Sequence, residues 1–459
     1  MRRGTTAAIV GATSAAVLIA AYFVADVHDI APGIFTLSQA SAPSAVPTAS
    51  AVPAPTLNVS QSQSDSQAPT AQQLQEAWAP AASAAEEGGW NAWALVVDAN
   101  NGQTLFQSNA ESAHTPASIT KILTAYTALS HLDPNAHLTT SVAQSDDDIY
   151  LEGEGDLLLG EGTNSLEVSG RAGLETLAKD TANALVSKGI SHVELHAAPA
   201  LFADTKRPAS WSEQQVAGYE GQLAPYAIDA GRTYPKSNEF YPDSISNVAE
   251  VFAQKLSEQG ISVDFGVRGA APQGANRIAS VQSASLDEQI RWMLYHSDNT
   301  LADQYCHFAA RQAGSEVTFD GAVKNLEKTL ADRGIPTDQL SLEDCSGLSS
   351  NDRIAPKTLA AILSQGFEAS QPVAPRVVRN LPWAGVQGTL AHRLNDEVVA
   401  GNAQAKTGSL SEVSSLAGVV STSKGHQVIF IVGFDKVPGD GAYSTRSYLD
   451  DFVTAIAKM

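Results

Sequence analysis

The sequence predicts a mixed α/β chain of the α+β kind, in which an antiparallel sheet covered by helices is interrupted by an inserted α+β lobe. Three observations carry that expectation. A hairpin opens the folded part, "AWALVVDANNGQTLFQSNA", with its turn at Asn100–Gly102. A second hairpin stands near the end, where the strand-like "AQAKTGSLSEVSSLAGVV" turns at "TSKG" into "HQVIFIVGF". Between them, over 133–284, the texture changes to short alternating strands and helices. The sheet-and-helix part is therefore expected from 72–132 together with 285–459, and the insert from 133–284. A chain of 459 residues has room for two or three domains, and its hydrophobic share of 43% allows a sizeable core.

At the N-terminus, Arg2 and Arg3 precede an uncharged run from Gly4 to Ala25, closed by Asp26. The run is near bilayer-spanning length and no A-x-A cleavage site follows it. Residues 1–36 therefore read as a signal peptide or membrane anchor, with the anchor favoured, the N-terminus inside and the rest outside. A twin-arginine signal lacks its apolar follow-on. Residues 37–71, with "SAPSAVPTASAVPAPT", are too poor in large apolar side chains to fold and read as a disordered tether. The folded part is thus expected in the cell envelope, secreted or tethered by this N-terminal segment. The 28 basic and 49 acidic residues leave a net charge of −21, which excludes the basic footprint of a nucleic-acid binder and attraction to anionic lipid.

The elements follow in order. After the first hairpin, Ile119, Ile122, Leu123, Tyr126 and Leu129 recur at helical spacing, with Pro116 suited to the first turn. The acidic cluster Asp146, Asp147 and Asp148 lacks EF-hand ligand spacing and reads as a solvated loop. Helices are expected over 173–189 and 244–260, the second closed by Gly260. Ser285 and Glu288 form a capping box for a helix carrying Leu286, Ile290, Met293 and Leu294 on one face. That helix ends at "HSDNT", a further one runs to Gly314, and a last one covers Tyr443–Met459. Internal repeats are absent.

Three short motifs occur in order: Ser118-x-x-Lys121, Ser297-Asp298-Asn299 and Lys406-Thr407-Gly408. The first two are weak alone, because Ser421–Lys424 repeats the first spacing and Ser349–Asn351 the Ser-x-Asn of the second. Their order and setting raise the odds: a helix start, an inter-helix loop, and a strand leading into a hairpin. Residues three apart on a helix share a face, so Lys121 can reach the Ser118 hydroxyl. A serine becomes a nucleophile when a neighbouring base takes its proton. A lysine can be that base if burial and a nearby cation keep it partly neutral, and Lys406 would be the cation. The backbone N–H of Ser118, at a helix N-terminus, and that of Ser409 can hold an oxyanion. Ser297 can pass a proton to a leaving group, Asn299 can hold a substrate amide, and Lys406 and Thr407 can bind a terminal carboxylate. A Ser–His–Asp hydrolase is disfavoured, since no G-x-S-x-G elbow occurs and His296 reads as packing or surface. No H-E-x-x-H or other metal spacing occurs, so no metal or cofactor is expected. The cysteines, Cys306 and Cys345, pair or remain buried thiols; the residues alone leave both open.

This constellation resembles the penicillin-recognising serine acyl-transferases. More narrowly, it resembles the D-alanyl-D-alanine carboxypeptidase/endopeptidase family, the class C, type-4 low-molecular-mass penicillin-binding proteins. The resemblance runs from about Ala92 to the end. It includes "GEGDLLL" around Asp156, "DCSGLSSNDRIAP" from Asp344 to Pro356 and "LPWAGVQGTLAHRL" from Leu381 to Leu394. These blocks and the long Ser118-to-Ser297 gap are unlike class A β-lactamases. The resemblance implies a penicillin-binding-protein/β-lactamase-like transpeptidase domain that cleaves D-Ala-D-Ala ends, or D-amino-acid cross-links, of peptidoglycan stem peptides. It implies that Ser118 is the nucleophile, Lys121 the base, and Thr407, Gly408 and Ser409 part of the substrate-binding edge. β-Lactam antibiotics would acylate Ser118 and leave slowly. It favours a Cys306–Cys345 disulfide and makes Arg353 a candidate stem-peptide or carboxylate contact, with a surface role as the alternative. The insert looks short for the family. Where an Asp-x-Ser-x-Phe-like pattern is common, this chain reads Ala198-Pro199-Ala200-Leu201-Phe202, which makes lysine or ornithine stems plausible beside diaminopimelate. Asp298 is expected to shape its loop, and Trp292 and Trp383 to lie in the core. Two rivals remain: a β-lactamase, and a non-catalytic peptidoglycan-binding protein on the same fold.

Overall fold

The computed structural model describes residues 67–439 and 441–459. The expected N-terminal anchor and nearly all of the expected tether lie outside the described residues. Among the described residues no helix is long and apolar enough to cross a membrane.

The first element is a helix that the sequence reading did not name, α1 (Ala71–Gly88). Thr70 and Gln73 cap it reciprocally, and Gly89 closes it in the left-handed conformation. The expected hairpin follows as β1 (Asn91–Asp98) and β2 (Thr104–Ser108). A 3₁₀ turn over Ala117–Thr120 leads into α2 (Lys121–His131).

The 133–284 stretch forms its own sheet. Its strands are β3 (His137–Ser145), β4 (Asp148–Gly153), β6 (His192–Ala197), β8 (Ser262–Phe265) and β9 (Asn276–Ser285), in spatial order β8-β6-β4-β3-β9. Strands β5 (Asp156–Leu159) and β7 (Tyr226–Ile228) pair separately in parallel. Helices α3 (Leu174–Val186) and α5 (Ser244–Glu258) pack on the sheet through Leu177, Leu185, Val248 and Phe252. A short helix, α4 (Ala209–Glu213), leads to the segment that reaches the candidate site.

After the insert come α6 (Leu286–His296), α7 (Asn299–Gln312), α8 (Phe319–Asp332), α9 (Pro356–Gln365) and α10 (Ala374–Arg379). The Ser285–Glu288 capping box is present on α6. Then β10 (Ala403–Leu410), β11 (Val413–Ser421) and β12 (Gln427–Asp435) complete the first sheet, and α11 (Arg446–Lys458) closes the chain. The segment expected as one strand, "AQAKTGSLSEVSSLAGVV", is therefore two. The exposed polar pair Ser411–Glu412 turns the chain between β10 and β11, while β11 pairs with β12 as expected.

The sheet order β10-β11-β12-β1-β2 is antiparallel throughout and closes the N-terminal hairpin onto the C-terminal strands. Its side chains alternate between two cores. Trp93, Leu95, Val97, Ile429 and Ile431 face the helices that include α2, α7 and α9. Ala94, Val96, Val432 and Phe434 face α1 and α11, where Trp78 lies against Phe452 with ring centroids 4.9 Å apart. The expectation for Trp383 also fails: it is 37% exposed. Its backbone bridges Gln404 of β10 while its ring faces outward. Trp292 is half-buried against the core, its ring tilted against that of His296 with centroids 3.9 Å apart.

Candidate active site

Ser118 sits on the 3₁₀ turn, not on the first turn of the α-helix. In a 3₁₀ turn residues three apart eclipse, so Lys121, the first residue of α2, comes directly over the hydroxyl. The preceding residue, Ala117, has φ 51°, left-handed backbone that a residue with a Cβ adopts at a cost. The surroundings hold it there. Thr120 Oγ1 donates to the Ala117 carbonyl at 2.8 Å, and Ser415 Oγ from β11 donates to the Pro116 carbonyl at 2.6 Å. Two glycines allow the close approach. A Cβ on Gly347 would lie 2.0 Å from the Ala117 carbonyl oxygen; one on Gly408 would lie 2.1 Å from Ser415 Oγ and 2.6 Å from the Pro116 carbonyl oxygen. Gly408→Ala should therefore push the Lys-Thr-Gly strand away from the serine turn. Its acylation rate should fall by roughly a hundredfold while circular dichroism stays native, and unchanged kinetics would refute the close-contact argument.

Lys121 is fully buried. Its Nζ donates to Ser118 Oγ at 3.0 Å, to Asn299 Oδ1 at 2.7 Å and to the Ser346 carbonyl at 2.6 Å. Burial pulls its pKa down to about 8, against the opposing pull of Asp303, Asp344 and Asp298. Ser346 belongs to the loop after Cys345, which Asp344 folds over itself. Asp344 Oδ1 accepts from the backbone N–H groups of Ser346, Gly347 and Leu348, and Oδ2 from Ser349 N–H and Trp211 Nε1. Cys306 of α7 and Cys345 are joined by a disulfide.

The second motif divides its work. Ser297 ends α6 in the left-handed conformation, at φ 56°. Asp298 caps α7 by accepting from Leu301 N–H at 2.9 Å, and Arg232 of the insert grips its other oxygen at 2.7 Å. Asp298 thus shapes the loop, as the sequence reading expects. Asn299 is occupied at both ends: Oδ1 takes Lys121, and Nδ2 donates to the Tyr219 carbonyl of the insert at 2.9 Å. The third motif lies on β10. Lys406 Nζ, fully buried, donates to Ser297 Oγ and to the Thr407 carbonyl, each at 2.8 Å. Burial first, then repulsion from Lys121 and Arg393, holds its pKa well below the usual lysine value. Thr407 Oγ1 donates to Thr389 Oγ1 at 2.8 Å, and Ser409 Oγ accepts from Arg446 at 2.7 Å.

Ser118, Ser297 and Asn299 of the first two motifs line one cavity of ≈ 380 Å³, with Gly347 and Tyr219; the third motif reaches it through its neighbour Ser409 and through the bond of Lys406 to Ser297. A larger cavity of ≈ 790 Å³ adjoins it through Val216, Leu348 and Leu410 and holds none of the motif residues. Arg353 lines that larger cavity, not the serine cavity. Its guanidinium donates to Thr115 Oγ1 and to the carbonyls of Ser350 and Asp352, at 2.7–2.8 Å. Among the described residues no cluster of three or more His, Cys, Asp or Glu suits a metal ion. Sequence reasoning missed Tyr219, Glu220 and Arg232. It also missed Asp303, although Asp303 lies four residues after Asn299 on one helix face, a spacing that could have exposed it.

Comparison with known proteins gives the same outline. The profile of the D-Ala-D-Ala carboxypeptidase 3 (S13) family matches residues 79–244 and 241–455. The chain is similar to the carboxypeptidase DacB of Mycolicibacterium smegmatis, 31% identical over 349 residues, covering 73% of this chain and 74% of that protein. It is 31% identical over 191 residues to a D-alanyl-D-alanine carboxypeptidase of an Actinomadura strain, covering 40% of this chain and 35% of that one. In fold it resembles the crystal structure of penicillin-binding protein 4 of Haemophilus influenzae, with a TM-score of 0.65 and 20% identity over 85% of this chain and 99% of the other. A second structure of that protein, complexed with a β-lactam, gives a TM-score of 0.61 at 20% identity, over 79% and 94% of the two chains.

Proposed function

Because the chain belongs to the D-Ala-D-Ala carboxypeptidase 3 (S13) family, we propose that it is a serine-type D-Ala-D-Ala carboxypeptidase acting on peptidoglycan stem peptides through an acyl-enzyme on Ser118, and that β-lactams inhibit it. Residues 72–132 and 285–459 are the peptidase domain on this reading and 133–284 the inserted one. The enzyme works outside the cytoplasm, secreted or tethered by its N-terminal segment. The observation that carries the reading is the desolvated Lys121 amine 3.0 Å from the Ser118 hydroxyl.

The mechanism follows from the bonding around that amine. As an ammonium, Lys121 has three N–H groups for three acceptors: Ser118 Oγ, Asn299 Oδ1 and the Ser346 carbonyl. As a neutral amine it keeps two N–H groups for Asn299 and Ser346 and turns its lone pair to the Ser118 hydroxyl. It then takes the proton as Ser118 Oγ attacks the carbonyl of the penultimate D-alanine. The backbone N–H groups of Ser118 and Ser409 hold the oxyanion. Ser297, whose Oγ is bonded to Lys406 Nζ, gives a proton to the leaving amine, and Lys406 and Thr407 bind its carboxylate. Water then releases the acyl group from Ser118.

Benzylpenicillin tests this directly. The full chain should gain a long-lived mass adduct that maps to Ser118 and is absent from Ser118→Ala, and it should release D-alanine from a peptide ending in D-Ala-D-Ala. Rapid drug hydrolysis with no lasting adduct would point to a β-lactamase instead. Neither adduct nor D-alanine release would point to a non-catalytic peptidoglycan binder.

A further inference from the structure

The insert does more than stand beside the site. Its segment from Gln214 to Ala224 lies along α7 and lines the serine cavity with Gln214, Gln215, Val216 and Tyr219. Successive bonds tie this strap to the helix. Asn299 Nδ2 donates to the Tyr219 carbonyl at 2.9 Å, the Gly221 N–H donates to Thr300 Oγ1 at 2.9 Å, and the Ala224 N–H donates to Gln304 Oε1 at 3.0 Å. Amid these lies a carboxyl that the mechanism does not use. Glu220 is 2% exposed, and neither of its carboxyl oxygens meets an N–H or hydroxyl donor. The group it bonds is the carboxyl of Asp303, whose Oδ1 already accepts from the Cys345 N–H at 2.8 Å.

Two carboxyl groups bond only if one keeps its proton. The Cys345 N–H favours the charged form on Asp303, whereas Glu220 is buried with no such donor, so Glu220 is the better place for the shared proton. We propose that Glu220 is a positioning residue: as a neutral acid donating to Asp303, it clamps the strap so that the Tyr219 carbonyl fixes the Asn299 amide with Oδ1 aimed at Lys121. A flipped amide would set an NH₂ against the Lys121 amine and misdirect the base. Burial and the neighbouring Asp303 both favour the protonated form of Glu220. The charged groups around it are Asp303 of α7, Asp344 of the disulfide loop, Arg207 behind the strap and Lys121 of α2. Only Arg207 and Lys121 favour its ionisation. Were Glu220 ionised, its charge would also raise the pKa of Lys121, so the retained proton serves the base twice.

The inference rests on the proposed peptidase reading, and its test separates the two. Benzylpenicillin acylation is followed against pH for wild type, Glu220→Gln and Glu220→Ala, with amide hydrogen exchange measured over 214–224. Gln still donates to Asp303 but cannot ionise, so it should keep the neutral-pH rate and lose whatever part of the wild-type pH profile comes from ionisation of Glu220. Ala should acylate roughly tenfold to a hundredfold more slowly and exchange faster across the strap. Ala at the wild-type rate, or Gln as slow as Ala with an unaltered profile shape, would overturn the clamp. If wild type fails to acylate at all, the peptidase reading falls, and exchange over 214–224 still decides the clamp: no change in Glu220→Ala overturns it.

Discussion

Lys121→Met should lower the rate at which benzylpenicillin acylates Ser118 by roughly a hundredfold to ten-thousandfold, the range a positioned general base contributes. Methionine nearly matches the buried volume, so the core of α2 stays filled. It brings no lone pair to the serine proton, and it strands two acceptors, Asn299 Oδ1 and the Ser346 carbonyl. Leaving buried acceptors unpaired costs about 1–3 kcal/mol each, so some loss of thermal stability should accompany the kinetic defect. The pH profile separates the two effects. With its pKa pulled down to about 8, Lys121 is mostly ammonium below that pH and mostly amine above it. The wild-type acylation rate should therefore climb as pH rises through about 8, and the variant, whatever its residual rate, should show no such climb. Stopped-flow acylation from pH 6 to 9 reads both. A variant that keeps the wild-type slope would remove Lys121 from the role of base.

What could be read from the sequence, and what could not, divides by the range of the interaction. Ser118 and Lys121 lie three apart, so their meeting is a local property of the backbone; the apolar stripe that follows told this pair from Ser421 and Lys424. The Lys-Thr-Gly strand was legible because a hairpin follows it. The exposed Ser411–Glu412 turn was passed over because both flanking segments are strand-like, and α1 because its Thr70–Gln73 capping box stands at the end of a low-complexity tether. Trp383 shows the limit of composition: a tryptophan is core by habit, but here its backbone has the task and the ring is left outside. The insert's part was the least legible. The carbonyl that fixes Asn299 belongs to Tyr219, eighty positions earlier, and a backbone carbonyl has no signature in the sequence. Arg232 on Asp298 and Glu220 on Asp303 are pairs of common charged residues whose meaning exists only after folding. The motif residues are thus read locally, while the contacts that orient them come from a distant part of the chain.

The disulfide carries the last and largest expected effect on stability. Cys306 and Cys345 are 39 positions apart. Cross-linking a loop of that length removes enough entropy from the unfolded chain to stabilise the fold by about 4 kcal/mol on the chain-entropy account. The double variant Cys306→Ala, Cys345→Ala should lose about that much, read from its urea unfolding midpoint, with a further contribution from the sulfur volume vacated in the core. The bond also lies close to the chemistry. The Cys345 N–H donates to Asp303, its carbonyl accepts from Thr124 of α2, and the next carbonyl, that of Ser346, is one of the three acceptors on Lys121. Freeing this loop loosens an acceptor that keeps the Lys121 amine turned towards Ser118. Acylation should therefore slow in the double variant even at temperatures where it stays folded, and reduction of the wild-type protein should slow it in the same direction. An unchanged unfolding midpoint would contradict the entropic argument. A lowered midpoint with wild-type acylation would confine the disulfide to holding α7 against its loop, and would mean that the Asp344 network alone keeps Ser346 in place.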